Sequence, residues 1–272
     1  MNKNRLSWFP PATVFAAHKD LIFQLAKREV LERYRGSFLG LLWSFVHPVL
    51  MLLVYLFVFG VVFSLKWGIE QRSDLDFAII LFSGLVVHGL FAECMVRGPA
   101  LITNNPHFVK KIVFPLHILP VVSVCVALFH TAIGLLILTV AILLTRASLP
   151  ATAILIPVVL FPIIVLALGV SWFLASLGVF LRDVAQVVGI LATVLLFLSP
   201  IFYPVSAVPE SLQSLLYLNP LTLIIEELRN VLVFGNMPDW TALGIYLFLA
   251  YCFMMFAVWW FTRTRNAFAD VI

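Results

Sequence analysis

The stretch SPIFYPVSAVPESLQSLLYLNPLTLIIEELRNVLVF, residues 199–234, determines how the rest of this chain is interpreted. It lies between two apolar runs that are each long enough to cross a bilayer. Pro200, Pro204 and Pro209 break any helix that enters it, because proline lacks an N–H and clashes with the preceding turn. The stretch therefore predicts two short helices, over residues 209–218 and 220–234, rather than a membrane span.

The second of these helices begins at an N-cap asparagine followed by a proline in the first turn. At about 1.5 Å per residue it is shorter than the ~30 Å hydrocarbon core, and charged residues lie at its centre. We expect an external re-entrant hairpin over residues 205–235 that gates a pathway; the alternative is a surface loop with two amphipathic helices. The candidate gate residues are Pro204, Asn219, Pro220, Glu226 and Arg229.

Composition predicts an integral membrane protein. Hydrophobic residues make up 63% of the chain and charged residues 11%, with a mean hydropathy of +1.10, which leaves too little charge to cover a soluble domain. The intervals between charged residues indicate an all-α fold with six transmembrane helices in a single domain, residues 1–272. The predicted spans are residues 38–63, 77–96, 116–144, 150–181, 184–202 and 240–262.

The positions of the basic residues predict the orientation. With both termini in the cytoplasm, thirteen of the 17 lysines and arginines lie on the cytoplasmic side, as the positive-inside rule requires. The net charge of +4 is therefore a sign of topology and gives no reason to expect a nucleic-acid partner. Three scattered cysteines, Cys94, Cys125 and Cys252, form no paired motif and are expected to be buried thiols.

Residues 19–35 predict an amphipathic helix with Phe23, Ala26, Val30 and Tyr34 on its apolar face. A basic helix of this kind before a span is typical of the membrane interface, whereas a plain basic leader would explain the charge but not the periodicity. Residues before Lys19 are expected to be irregular.

Two further connections are informative. The cytoplasmic stretch 98–115 is either a structural loop or a docking element, with Lys110 and Lys111 placed to meet a partner or a lipid headgroup. The short external turn 145–149 predicts tight antiparallel pairing of the third and fourth spans. Small residues in the fourth span permit close helix contact; they are Gly169, Ser171, Ala175, Ser176 and Gly178.

Sequence motifs for catalysis are absent. No lysine follows a glycine, so the chain has no phosphate-binding loop and cannot be its own nucleotide-hydrolysing motor of that kind. The histidines are dispersed, and His88, His117 and His130 occur singly in or beside apolar spans, which is more typical of helix packing than of metal binding. We expect no catalytic residue, no metal site and no cofactor in this chain.

The chain resembles a known family through a series of segments. They are KREVLERYRGSFLGLLWSFVHPVLMLLVY (27–55), NPHFVKKIVFPLHILPV (105–121), FLRDVAQVVGI (180–190), SPIFYPVSAVPE (199–210) and LNPLTLIIEELRNVLV (218–233). Together they resemble the type-two ABC exporter permeases, and among these the polysaccharide exporters: the Wzm-like O-antigen permeases and the teichoic acid and capsule permeases. The series covers nearly the whole chain in order.

This resemblance implies a homodimer in the bacterial inner membrane, with two soluble ATP-binding subunits that hold ATP and Mg²⁺. It implies an interface helix at 19–35, a coupling loop at 98–115 and gate helices at 205–235. The substrate would be a polysaccharide on an undecaprenyl pyrophosphate lipid, surrounded by membrane lipids.

The resemblance also implies roles for particular residues. The residues expected to couple to the ATPase are Arg28, Glu29, Asn105, Lys110, Lys111, Arg182 and Asp183. Aromatic faces suit sugar rings, and the candidates for the substrate pathway are Trp43, Tyr55, Phe197, Phe202 and Tyr203; an interfacial aromatic belt is the alternative. The candidates for pyrophosphate or lipid headgroup contact are Arg28, Arg33 and Arg35.

Three functions stay open on the sequence. O-antigen export is favoured, with capsule or teichoic acid export as close variants. A permease for a drug or a small lipid would keep the architecture and change the cargo. A membrane enzyme acting on lipid-linked sugars would need convergent carboxylates or histidines at one membrane face, and nothing beyond sequence proximity places any there.

Overall fold

The computed structural model describes residues 11–62, 74–109 and 114–272, and every regular element in these ranges is helical. The all-α prediction is confirmed. The helices are α1 (Pro11–Arg33), α2 (Trp43–Tyr55), α3 (Asp74–Arg97), α4 (Pro106–Val109), α5 (Ile118–Arg146), α6 (Ile156–Phe180), α7 (Val184–Leu198), α8 (Glu210–Leu218), α9 (Pro220–Arg229), α10 (Trp240–Thr264) and α11 (Phe268–Val271). Short 3₁₀ or π turns extend several of them.

Five stretches of the described chain are long and apolar enough to cross a membrane. They are Gly40–Val58, Leu75–Ala100, Ile118–Arg146, Ala151–Phe180 and Trp240–Val271. The remaining predicted span is α7, an apolar helix of 15 residues, about 22 Å long. It ends where Ser199 turns to extended backbone before Pro200, as the proline predicts.

The amphipathic helix begins earlier than expected. Pro11 opens α1, because a proline is compatible with the first turn of a helix, where its missing N–H has no intrahelical partner. The prediction that residues 11–17 are irregular is therefore wrong. Non-helical backbone at His18 (φ −126°, ψ 19°) then kinks α1, so the helical part that follows begins at Lys19, as predicted.

The buried face of α1 is rotated from the predicted one. Ile22 and Val30 are buried, with exposed fractions of 2% and 8%, whereas Phe23 is 70% exposed. The helix lies along the first half of α5, with His18 near His117 and Tyr34 near His130. Tertiary contact with α5, and not the strongest apolar stripe, therefore decides which side of α1 is covered.

The fourth predicted span pairs mainly with the last one. Gly169 of α6 lies so close to α10 that an added Cβ would be 2.9 Å from the Met254 Cα. Near the C-terminal end of α6, a Cβ on Gly178 would be 2.1 Å from the Pro99 carbonyl oxygen. The small residues of α6 do permit close contact, but with α10 and the turn Gly98–Ala100, and the expected tight pairing with α5 is the lesser contact.

The buried apolar residues form two clusters. One lies among α3, α5, α6 and α9 and includes Leu81, Ile163 and Ile225. The other joins α1, the Gly98–Ala100 region, the start of α5 and the C-terminal segment, with Ile22 and Phe268 among its members. The interface helix and the predicted coupling loop therefore share one core with the C-terminal end of the chain.

Candidate functional site

A groove of about 470 Å³ separates α1 from the turn that follows α3. Three residues predicted to couple to an ATPase line it together, namely Arg28, Glu29 and Asn105. The side-chain amide of Asn105 donates a hydrogen bond to the Leu101 carbonyl at 3.0 Å, which fixes the position of this side chain. The structure thus brings residues from two distant segments to one surface.

The other predicted coupling residues are not part of this groove. Arg182 and Asp183 form an exposed turn between α6 and α7, consistent with the predicted short connection. Lys110 and Lys111 lie outside the described residues, so their contacts are not part of the described structure.

A cluster of charged and polar groups joins α1, α3 and α5 around Glu93. Arg33 Nη1 donates to Glu93 Oε1 at 2.7 Å, and His130 Nδ1 donates to Glu93 Oε2 at 2.8 Å. Arg97, one turn further along α3, contacts the same carboxylate at 3.3 Å and also pairs with Glu29. We call these residues, together with Tyr34, the Glu93 cluster.

Hydrogen-bond direction in this cluster is determined by the carboxylate, which only accepts. His130 therefore carries a proton on Nδ1, and its Nε2 lies 3.3 Å from the Tyr34 hydroxyl. His130 is thus a packing histidine with two defined partners. His88 is another, since its Nε2 lies 3.0 Å from the Ala192 carbonyl of α7.

A second cavity, of about 620 Å³, lies between α2, α3 and α5, with the Glu93 cluster at one end; we call it the α2 cleft. Trp43 and Tyr55, two of the predicted pathway residues, line it, as does Arg33. Arg28 lies instead in the groove described above, and Arg35 is exposed just after α1. The lining residues are Arg33, Tyr34, Ser37, Trp43, Ser44, His47, Pro48, Met51, Tyr55, Phe82, Leu85, Val86, Gly89, Leu90, Glu93, Ala127, His130, Thr131 and Gly134.

The other predicted pathway aromatics form a row at the end of α7. The Phe202 ring lies 6.1 Å from Tyr55 and 5.8 Å from Phe197, between ring centroids. The Tyr203 hydroxyl donates to the Phe197 carbonyl at 3.1 Å, and burial raises the pKa of this tyrosine. Four of the five predicted residues are therefore neighbours, while Trp43 lies apart in the α2 cleft.

The helices α8 and α9 begin close to where the sequence predicts, and a π-helical segment, Asn230–Phe234, continues α9 to its predicted end. Asn219 caps α9, since its side-chain oxygen accepts from the Leu221 N–H at 3.0 Å. Its amide also donates to the Ser199 hydroxyl at 2.9 Å, which ties the cap to the end of α7. Pro204 precedes a short 3₁₀ turn and Pro220 opens α9.

The polar face of α9 packs mainly against the rest of the protein. Arg229 is fully buried and donates to the carbonyls of Pro200 at 2.7 Å, Ile80 at 3.2 Å and Ile201 at 3.3 Å. It also pairs with Glu226 at 2.8 Å. Burial lowers the pKa of Arg229 to about 10, and Glu226 opposes that shift.

Two polar contacts join the end of this helix pair to the C-terminal end of α5 and to the residues just before α6. Arg146 of α5 donates to Asp76 at 2.8 Å and to the Val233 carbonyl at 2.5 Å. Thr152, just before α6, donates to the Val231 carbonyl at 2.6 Å. Glu227 is almost fully buried, and burial raises its pKa. No sequence pattern indicated the Asp76–Arg146 pair or the Glu93 cluster, because their members are far apart in the chain.

Comparison with known proteins gives a consistent result. A family model described as ABC-2 type transporter matches residues 20–233. The chain is similar to the O-antigen export system permease protein RfbA of Myxococcus xanthus, with 30% identity over 94% of this chain and 96% of that protein. A protein of the same name from Klebsiella pneumoniae is 23% identical over 93% of this chain and 95% of its own length. The polysialic acid transport protein KpsM of Escherichia coli is 25% identical over 85% of this chain and 88% of its own length.

Proposed function

Because this chain belongs to the ABC-2 type transporter family, we propose that it is the membrane-spanning permease of an ABC exporter that moves a lipid-linked cell-surface polysaccharide across the bacterial inner membrane. O-antigen is the favoured cargo. The observation that supports this most directly is the similarity, along nearly the whole chain, to an O-antigen export permease. ATP and Mg²⁺ would be bound by a separate subunit, since the sequence has no phosphate-binding loop.

The proposed topology has six crossings with both termini in the cytoplasm. The five long apolar stretches supply five of them, and α7 supplies the sixth together with the extended residues after it. The placement of the basic residues sets the orientation. Two copies of this single 1–272 domain would enclose the pathway, because the apolar faces of α2 and α7 are largely exposed in one copy.

Coupling to the ATPase is assigned to the cytoplasmic surface around α1 and residues 98–115. The groove lined by Arg28, Glu29 and Asn105 offers donors and acceptors from two segments to a docking subunit. Lys110 and Lys111 follow α4 directly in the sequence, and the Arg182–Asp183 turn is on the same proposed side. All of these residues remain coupling candidates.

Substrate contact is assigned to two places. The aromatic row of Tyr55, Phe197, Phe202 and Tyr203 offers flat apolar faces to sugar rings. At the cytoplasmic end, Arg28, Arg33 and Arg35 offer positive charge to a lipid-linked pyrophosphate. The helix pair α8 and α9 would form the external gate over residues 205–235.

Glu226 is the appropriate residue for testing the gate. Its side chain is about one third exposed, whereas Arg229 is fully buried and structural. Glu226→Ala should therefore alter export, or the ATP hydrolysed per glycan exported, while the protein still folds and dimerises. Wild-type export by this variant would contradict the gate.

Capsule export is the second candidate function, favoured by the similarity to a polysialic acid transport protein. A deletion strain separates the two functions, since loss of surface O-antigen and loss of capsule are scored independently. The intact gene should restore whichever of them is lost.

Purification of the tagged chain in mild detergent should recover a stoichiometric soluble subunit with a phosphate-binding loop. Repeated recovery of the chain alone in active form would contradict the exporter and favour a membrane enzyme.

A further inference from the structure

The α2 cleft has charged groups at one end only. Arg33 and Glu93 lie at that end with His130, and the rest of the lining comes mainly from apolar and aromatic side chains of α2 and α3. Further along, the hydroxyls of Ser44 and Thr131 already donate to carbonyls three or four residues earlier in the chain, and His47 and Tyr55 are the other polar side chains. The cleft is therefore amphipathic along its length, with a charged mouth and a mainly apolar interior.

The depth of the cleft matches one leaflet of a bilayer. From Glu93 the lining follows α3 to Phe82, eleven residues further into the proposed membrane, which is about 17 Å of helix. Half of the ~30 Å hydrocarbon core is a similar distance. The back wall is closed, because α3 and α5 pack so tightly that a Cβ on Gly134 would lie 2.9 Å from a Val86 methyl.

The acidic charge at the mouth of the cleft is already paired. Glu93 is engaged by Arg33, His130 and Arg97, and Glu29 pairs with Arg97. Arg33 contacts Glu93 through Nη1 while 53% of its side-chain surface stays exposed, so it can also donate to an anion.

We propose that the α2 cleft binds an anionic phospholipid of the cytoplasmic leaflet, with one acyl chain between α2 and α3 and the phosphate at Arg33. The proposal rests on the orientation given under the proposed function. An acyl chain that ends within one leaflet fits the depth of the cleft. The lipid would fill the space that separates α2 from the rest of the protein. This lipid is distinct from the transported glycolipid and holds a fixed place, so that with Arg33 occupied the pyrophosphate of the glycolipid would contact Arg28 and Arg35.

Native mass spectrometry of the full-length purified chain tests this. The chain is titrated with phosphatidylglycerol and with phosphatidylcholine of identical acyl chains. Gly89 lines the cleft, and an added Cβ there meets nothing within 4 Å, so Gly89→Leu fills the cleft without a clash. Gly244→Leu is the matched control, because Gly244 on α10 also has open space around it but lies outside the cleft.

We expect wild type to prefer phosphatidylglycerol and Gly89→Leu to weaken its binding about tenfold, which corresponds to losing the burial of about two methylene groups. Arg33→Gln should remove the preference for the anionic lipid. Gly244→Leu should behave as wild type. So should Lys27→Gln, which alters an exposed basic residue on the same helix.

Equal binding of phosphatidylglycerol by wild type and Gly89→Leu would overturn the proposal. So would displacement of phosphatidylglycerol by a polyprenyl phosphate at lower concentration, since the cleft would then belong to the carrier lipid. A Gly89→Leu variant that loses only dimerisation would assign the cleft to a second copy and would equally overturn it. The titration needs neither ATP nor glycan, so its failure is distinguishable from a failure of the export assay.

Discussion

At the scale of single residues, Arg229 shows how a charged side chain can be part of a core. Its guanidinium donates to three backbone carbonyls and one carboxylate in a fully buried site. Two of those carbonyls, at Pro200 and Ile201, lie just after α7, where the chain leaves helical geometry and its carbonyls need other donors. Arg229 thereby replaces the hydrogen bonds that the proline break removes.

Replacing Arg229 should unfold this region. Arg229→Met leaves buried carbonyls without a donor, and we expect a loss of about 3 kcal/mol or more in the free energy of unfolding, since an orphaned buried polar network is among the costliest defects. Thermal unfolding of the purified chain in detergent measures it. Arg229→Lys should recover only part of the loss, because lysine lacks the planar fork of donors.

Glu226→Gln is the control for that series. Glu226 contacts the same guanidinium but is about one third exposed, and its amide variant keeps an acceptor oxygen for Arg229, so it should lose less stability than Arg229→Met. If Arg229→Met also unfolded at the wild-type temperature, the hydrogen bonds assigned to Arg229 would be wrong.

Glu93 is the second residue for which we predict an effect on the free energy of unfolding. Glu93→Gln removes the charge that Arg33, Arg97 and His130 share, and we expect a loss of about 2 kcal/mol in the free energy of unfolding, as for hydrogen bonds to charged groups. Glu32→Gln on α1 is the matched control. Its pair with Arg28 is more than half exposed on both sides, so that change should be worth less than about 0.5 kcal/mol. Equal effects of the two variants would contradict the buried role of Glu93.

At the scale of elements, local sequence predicted where helices begin and end. The Asn219–Pro220 start of α9 and the stop before Pro200 follow from side chains within a few residues of each boundary. The early start of α1 at Pro11 was missed because proline was taken only as a breaker. The partners of each helix were not predictable in this way. The pairing of α6 with α10 depends on the complementary shapes of two helix surfaces that are far apart in the sequence.

The contact between α6 and the Gly98–Ala100 turn is the closest of these pairings. Gly178→Ala places a methyl group against the Pro99 carbonyl, and the backbone must separate because no flexible side chain can move aside. We expect a lower unfolding temperature and weaker ATP coupling, since residues 98–115 are displaced with the turn. Gly189→Ala on α7, where a Cβ meets nothing within 4 Å, should leave both unchanged. A stable and coupled Gly178→Ala chain would show that this contact is dispensable.

At the scale of the whole molecule, the question is how many times the chain crosses the bilayer. The six-crossing topology places the turn at Asp183 in the cytoplasm and α8 outside, with α7 between them. A single cysteine introduced at Asp183 in a cysteine-free chain should react with a membrane-impermeant reagent only when the cytoplasmic side is open. A cysteine at Gln213 should react only from the outside. Labelling of both from one side would mean that α7 does not cross.

The composition and charge of the sequence were sufficient to predict the membrane class, the helical fold and the proposed orientation. They did not predict the Glu93 cluster or the Asp76–Arg146 pair. Apart from Glu93 and Arg97, the paired residues are at least 37 positions apart, and such a pair leaves no periodic signal in a single sequence. Of the predicted coupling residues, Arg28, Glu29 and Asn105 share a groove, and their role in coupling stays a prediction.

The exposure of α2 has a consequence for the life of a newly made chain. This helix precedes the other long apolar stretches of the described chain, and only 6% of its membrane stretch is buried by the rest of the chain, against 67% for the next. In a freshly inserted chain, the rest of the protein therefore makes few contacts with α2, which leaves this helix accessible to membrane proteases. We expect chains made in excess of their partners to be degraded faster than assembled ones, so that synthesis and turnover together set the number of exporters in a cell.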